Sequence, residues 1–214
     1  MTIEKINNYQ ISQLLEPKNK KAHWNIEKDE CVLLIHDMQK YFLEPYNMSS
    51  EPYLTLINNI KKIKKICKGH SVPIIYSVQS EGQSVSQRGL LKDFWGIGIP
   101  KNMGKDEIVK ELLPDENDIV ITKWRYSAFE STKLENIIRK NNKSQLIIVG
   151  VYTHIGCLAT ATDAFMKNIK PFLIFDATAD FSYKKHKLAL DYVSNLTGMV
   201  LSTDNAIRDI NCSQ

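Results

Sequence analysis

The sequence predicts an α/β fold, a three-layer sandwich with about six mainly parallel strands and helices on both faces, Rossmann-like in its layering. Three observations predict it. Short apolar runs alternate with amphipathic stretches along all 214 residues. The runs are apolar throughout rather than at every second residue, which suits strands covered on both faces. No Pro-, Ser- or Gly-rich linker and no repeat breaks the alternation, and the length suits one core. Residues 1–214 therefore read as a single domain, with residues 1–25 as a polar N-terminal arm that packs near its end through Trp24.

The strand candidates are Cys31–Ile35, Val72–Val78, Ile119–Thr122, Leu146–Val151, Phe172–Phe175 and Met199–Ser202. Between them, helical periodicity covers 54–68, 105–113, 132–140, 158–168 and 184–196. Ile57, Ile60, Ile63 and Ile66 give the first helix an apolar face, and Lys61, Lys62, Lys64, Lys65 and Lys68 give it a solvated basic one. Gly69 stands where a helix C-terminus favours glycine. Thr132 and Glu135 have capping-box spacing. Residues 79–104 form the longest stretch without a period. They contain five glycines and the pair Phe94–Trp95, and read as an ordered functional loop.

Composition removes several classes. Apolar residues are 43% and charged residues 24%, too apolar for a disordered chain. No apolar run approaches the roughly 18 residues that span a bilayer, and the opening MTIEKINNYQ lacks a secretory core, so the expected location is cytoplasmic. The net charge of +4 comes with no nucleic-acid module. Cys31, Cys67, Cys157 and Cys212 form no CxxC pair, and no HxH or HExxH pattern occurs, so neither a metal nor a cofactor is expected.

In open α/β sheets ligands bind at the carboxyl ends of the strands. The residues just past each apolar run are His36, Asp37 and Phe42; Gln79, with Arg88 in the long loop; Lys123, Tyr126 and Phe129; Tyr152, His154, Ile155 and Gly156; and Asp176 and Asp180. An acid, a Lys, an Arg, a Gln and several aromatics on one rim suit a small, flat anion. Each also has a structural alternative. Asp37 can cap a helix, Arg88 can be solvated, His36 and His154 can be satisfied core histidines, and Tyr152 and Trp95 can simply pack.

Four long strings, LLIHDMQKYFL (33–43), KWRYSAF (123–129), GVYTHIGCLATATDAFMKNIKPF (150–172) and DATADFS (176–182), resemble the isochorismatase family. The likeness runs over residues 25–200 and is strongest to the branch serving catechol siderophores and to its phenazine-pathway relative. The resemblance implies the isochorismatase-like hydrolase fold, a homodimer, association with siderophore assembly enzymes and a cis peptide at Val151–Tyr152. Residues 203–214 do not resemble the aryl-carrier module found in some members, so none is expected in this chain.

The superfamily also holds nicotinamidase-type cysteine amidohydrolases with an Asp–Lys–Cys triad. Here the nucleophile's position falls on Gly156, and Cys157, about 100° further round a helix, should face the core. The resemblance thus implies hydrolysis of an enolpyruvyl vinyl ether without a covalent intermediate. Asp37 would be the general acid, Lys123 would hold it, and Gly156 would leave room. Gln79, Arg88 and Tyr152 would contact substrate polar groups, with Phe42, Trp95, Tyr126 and Phe129 as apolar walls. Backbone N–H groups from Ile155 to Cys157 would receive a carboxylate or oxyanion. Isochorismate is the expected substrate, 2-amino-2-deoxyisochorismate the nearest alternative, and an amidohydrolase the more distant one.

Overall fold

The computed structural model describes residues 3–14, 16–17 and 21–213. Parts of the predicted arm (residues 1, 2, 15 and 18–20) lie outside them. Six strands form one sheet: β1 Cys31–His36, β2 Ile74–Val78, β3 Ile119–Thr122, β4 Gln145–Val151, β5 Lys170–Ala179 and β6 Met199–Leu201. All neighbours are parallel, in the order β3-β2-β1-β4-β5-β6. The helices are α1 Lys40–Leu43, α2 Tyr53–Gly69, α3 Val85–Arg88, α4 Leu91–Trp95, α5 Leu134–Lys140, α6 Leu158–Met166, α7 Tyr183–Tyr192 and α8 Thr203–Cys212.

The uninterrupted apolar runs have the cause the sequence suggests. Along β1, Cys31, Leu33 and Ile35 enter a core shared with α2 and α8, while Val32 and Leu34 enter a second core with α5, α6 and α7. Both faces of the central strands are dry. Trp24 packs on the first core. The Lys side of α2 faces outward, and Lys64 reaches Asp115 and Asp118 at 3.0 and 3.1 Å.

Several elements differ from expectation. The helix predicted over 105–113 is reduced to a 3-10 turn at Lys110–Leu112. Its carbonyls are already engaged: Lys105 and Glu107 accept the N–H groups of Tyr41 and Lys40, and Asp106 accepts Gln39 Nε2. The Thr132–Glu135 capping box does not form. Thr132 Oγ1 takes the Leu134 N–H at 3.1 Å, so α5 begins two residues later, and Glu135 pairs with Lys167 instead. Gly69 stays inside α2. The left-handed residue is Ser71 (φ 56°), whose turn is closed by the Val72 N–H on the Cys67 carbonyl. Helix α8 was not predicted.

The strand order reverses between β1 and β4, which leaves a crevice beyond their carboxyl ends. The 79–104 segment folds over it as α3 and α4. The Val151–Tyr152 peptide is cis.

Candidate active site

Asp37 leaves β1 with φ 50°, and its N–H is tied to the Ser77 carbonyl. The turn aims the carboxylate into the crevice. Lys123, directly after β3, places Nζ 2.9 Å from Asp37 Oδ2, and both side chains are buried. Ser77 Oγ donates to Oδ1 at 2.9 Å, and Gln79 Nε2 lies 3.4 Å from Oδ2. Burial pushes the Asp37 carboxyl up. The Lys123 ammonium, helped by His36 and the hydrogen bonds, outweighs it and holds the group below the usual carboxylate range.

Arg88 closes the opposite side from the C-terminal end of α3. It is buried, donates to the Gly96 carbonyl and to Gln79 Oε1 at 3.2 and 3.3 Å, and pairs with no carboxylate among the described residues. Burial lowers its pKa. A buried guanidinium without an acid can receive an anion. Tyr152 Oη donates to the Phe42 carbonyl at 2.5 Å, and Trp95 Nε1 donates to Tyr126 Oη at 2.7 Å.

Ten of the residues singled out in the sequence line one cleft: Asp37, Lys123 and Gly156, with Phe42, Gln79, Arg88, Trp95, Tyr126, Tyr152 and Ile155. Phe129 does not. It belongs to the second core, because the turn after Lys123 carries it under α5 and α6. The expected N–H donors also differ, since Ile155 and Cys157 both direct theirs at the Tyr152 carbonyl in a π-helical turn. Asp180 and His154 pair with each other at 2.6 Å, and Asp176 caps α8 through Thr203.

A family model described as an isochorismatase domain matches residues 31–205. The chain belongs to the isochorismatase family. It is 42% identical to "Isochorismatase" of Bacillus subtilis over 97% of this chain and 66% of that protein. It is 41% identical to Enterobactin synthase component B of Escherichia coli over 97% and 73%. Phenazine biosynthesis protein PhzD1 of Pseudomonas aeruginosa is 41% identical over 87% and 89%. The chain thus spans about two thirds of the Bacillus relative's length. A solved cysteine hydrolase from Pseudomonas syringae superposes with a TM-score of 0.81 at 22% identity, covering 90% of this chain and 97% of its own, and shares the fold.

Within this isochorismatase-family cleft no thiol is in place. Cys157 is fully buried in the second core, and burial raises its pKa well above a free thiol's. Among the described residues no cluster of His, Cys, Asp and Glu could hold a metal, and no helix is long and apolar enough to cross a membrane. Sequence reasoning gave no role to Ser77, Gln39 or Phe181. Gln39 clamps the Gln79 backbone, accepting its N–H at 2.8 Å and donating to its carbonyl at 2.8 Å. Phe181 packs at a tilt against Tyr152 with centroids 4.3 Å apart. Its place two residues past β5 was the available signal. Ser77 gave none, because it lies inside an apolar run.

Proposed function

We propose that this protein hydrolyses the enolpyruvyl vinyl ether of isochorismate, giving pyruvate and 2,3-dihydro-2,3-dihydroxybenzoate, as a step toward a catechol siderophore. The carrying observation is the buried Asp37–Lys123 pair beside Gly156, in a cleft with an acid, an anion receptor and no thiol. Asp37 gives its proton to the terminal methylene carbon, and the electron pair of the C=C forms that C–H bond. Water adds to the resulting oxocarbenium carbon and its proton returns to the Asp37 carboxylate. The hemiketal then collapses: the C–O bond to the ring breaks with its electrons on the ring oxygen, which takes up the proton that the hemiketal hydroxyl loses as it becomes the carbonyl of pyruvate. Proton transfer to carbon is the hard step, so a positioned acid is the central requirement.

Asp37 must be protonated for this. A carboxyl with pKa about 3.9 is protonated in about one molecule per thousand at pH 7, which adds about 4 kcal/mol to the barrier, and Asp37 lies lower still. The substrate supplies the correction. It is a dianion, and two negative charges entering an apolar-walled cleft raise the pKa of the carboxylate beside them. Arg88 and Gln79 hold the anionic groups, since Lys123 already donates to Asp37 and to the Arg125 and Tyr126 carbonyls, and Phe42, Trp95, Tyr126 and Tyr152 flank the ring.

The 41% identity to PhzD1 favours 2-amino-2-deoxyisochorismate as the second substrate to test. A cysteine amidohydrolase lacks its nucleophile here. Pyruvate release from the two compounds, compared as kcat/KM, tests the reading. A higher kcat/KM on isochorismate is expected, and release from neither would overturn it. Asp37→Asn should abolish turnover and keep substrate binding. As a cytoplasmic homodimer the protein should show twice the chain mass by light scattering, and it would work beside siderophore assembly enzymes.

A further inference from the structure

His36, the residue before Asp37, has no part in the chemistry above. It is 1% exposed and lines the cleft. Its Nδ1 lies 2.8 Å from the Val151 carbonyl, which can only accept, so Nδ1 carries the ring hydrogen. Burial keeps the ring neutral, with its pKa down at about 4 although Asp37 opposes the shift. Nε2 therefore presents a lone pair at neutral pH, and that atom has no hydrogen-bond partner among the described residues. A buried acceptor without a donor is costly, and in native proteins such an atom calls for an explanation.

Gly156 supplies a second, independent observation. A Cβ built on it would meet His36 Cε1 at 2.2 Å and Nε2 at 2.8 Å. The ring lies over Gly156 and is pinned from behind by Val151. Any side chain at 156, a nucleophilic cysteine included, would have to displace it. The Tyr126 carbonyl also acts on the ring, and it too can only accept. What is lacking on this wall is an O–H. A carboxylate has none to give, so the anionic groups of a ligand belong with Arg88 instead.

We infer that His36 is a positioning residue of the cleft, that its Nε2 accepts an O–H from the attacking water or from a ring hydroxyl of the substrate, and that residue 156 is glycine to make room for its ring. The inference rests on the vinyl-ether reading. His36 accepts a hydrogen bond and takes no proton. The proton of the attacking water still returns to Asp37.

Three variants test it, once the wild-type protein has been shown to release pyruvate. No release would overturn the functional reading itself. His36→Phe keeps the ring and removes the acceptor. Its kcat/KM should fall about tenfold, as for one lost hydrogen bond. A fall in kcat at unchanged KM assigns the donor to water, and a rise in KM at unchanged kcat assigns it to a substrate hydroxyl. His36→Gln, whose amide both donates and accepts, should recover part of the loss. Gly156→Ala should reproduce the His36→Phe defect by displacing the ring, and the double variant should be no worse than either single one. Wild-type kcat/KM in His36→Phe, or losses that multiply in the double variant, would overturn the inference. If His36→Phe does not fold, wild-type kcat/KM in Gly156→Ala overturns it.

Discussion

Asp37 is held in opposition to the general-acid role proposed for it, because Lys123 stabilises the charged form that cannot protonate carbon. Substrate binding should therefore carry a proton in. At pH 7 about one proton should be taken up per molecule bound, since the free carboxyl is ionised and the working one is not. Calorimetry with a dianionic substrate analogue that is not hydrolysed, in two buffers of different ionisation enthalpy, reads this directly, with Asp37→Asn as a control that takes up none. In the pH–rate profiles, kcat/KM should fall as pH rises above the carboxylate range, while kcat holds its plateau to a higher pH. Two profiles sharing one pKa near 4 would exclude substrate-linked protonation. The thiols give a second residue-scale prediction. Cys212 is exposed, whereas Cys31, Cys67 and Cys157 are buried. Burial pushes Cys31 up to about 12 and the other two well above a free thiol. Iodoacetamide on the native protein should label Cys212 alone by mass spectrometry and leave pyruvate release unchanged. Inactivation through Cys157 would restore the amidohydrolase reading.

The α3–α4 segment delivers Arg88 and Trp95 to the cleft, and its shape depends on Gly98. That residue has φ 77°, and a Cβ there would meet the Arg88 guanidinium at 3.0 Å. Arg88→Met should raise KM about 30-fold, which corresponds to the loss of roughly 2 kcal/mol in charge-assisted bonding, with a smaller effect on kcat. Gly98→Ala should act in the same direction. Unchanged KM in both would remove Arg88 as the anion receptor. At the other end of the chain, α8 docks through Ala206 and Ile210 and is capped by Ser202, whose side chain accepts the Asn205 N–H. Ser202→Ala should cost about 1 kcal/mol of unfolding free energy by denaturant titration.

Across the whole molecule, stability should depend on pH through two buried imidazoles. Burial lowers both His36 and His186 to about 4. The unfolded chain, with histidines near 6.5, binds more protons in the window between those values. Their contribution is complete above pH 6.5 and is lost as pH falls toward 4, on the order of 3 kcal/mol for each residue. The unfolding midpoint should therefore rise with pH from 4 to 6.5 and flatten above. His186→Gln should reduce that slope by about half, if the fold is retained. A midpoint that is flat across the window would mean that one or both rings are charged in the folded state.

The sequence by itself determined the layering and the chemistry available at the rim. Uninterrupted apolar runs such as LIIVGV, short and rich in β-branched residues, suit strands covered on both faces, and the strand-end rule then selects Asp37, Lys123 and Tyr152 as neighbours. Tertiary structure decided everything that depends on which backbone groups are already taken. The 105–113 helix failed because Gln39, Lys40 and Tyr41 hold its carbonyls. Ile155 and Cys157 offer no free N–H because Tyr152 accepts both. Phe129 turned into a core rather than the cleft. The fit of His36 over Gly156 joins residues 120 positions apart, a contact that no local periodicity encodes. Hydrophobic burial is written in patterns along the chain, whereas hydrogen-bond partners and steric contacts are settled only when distant segments meet.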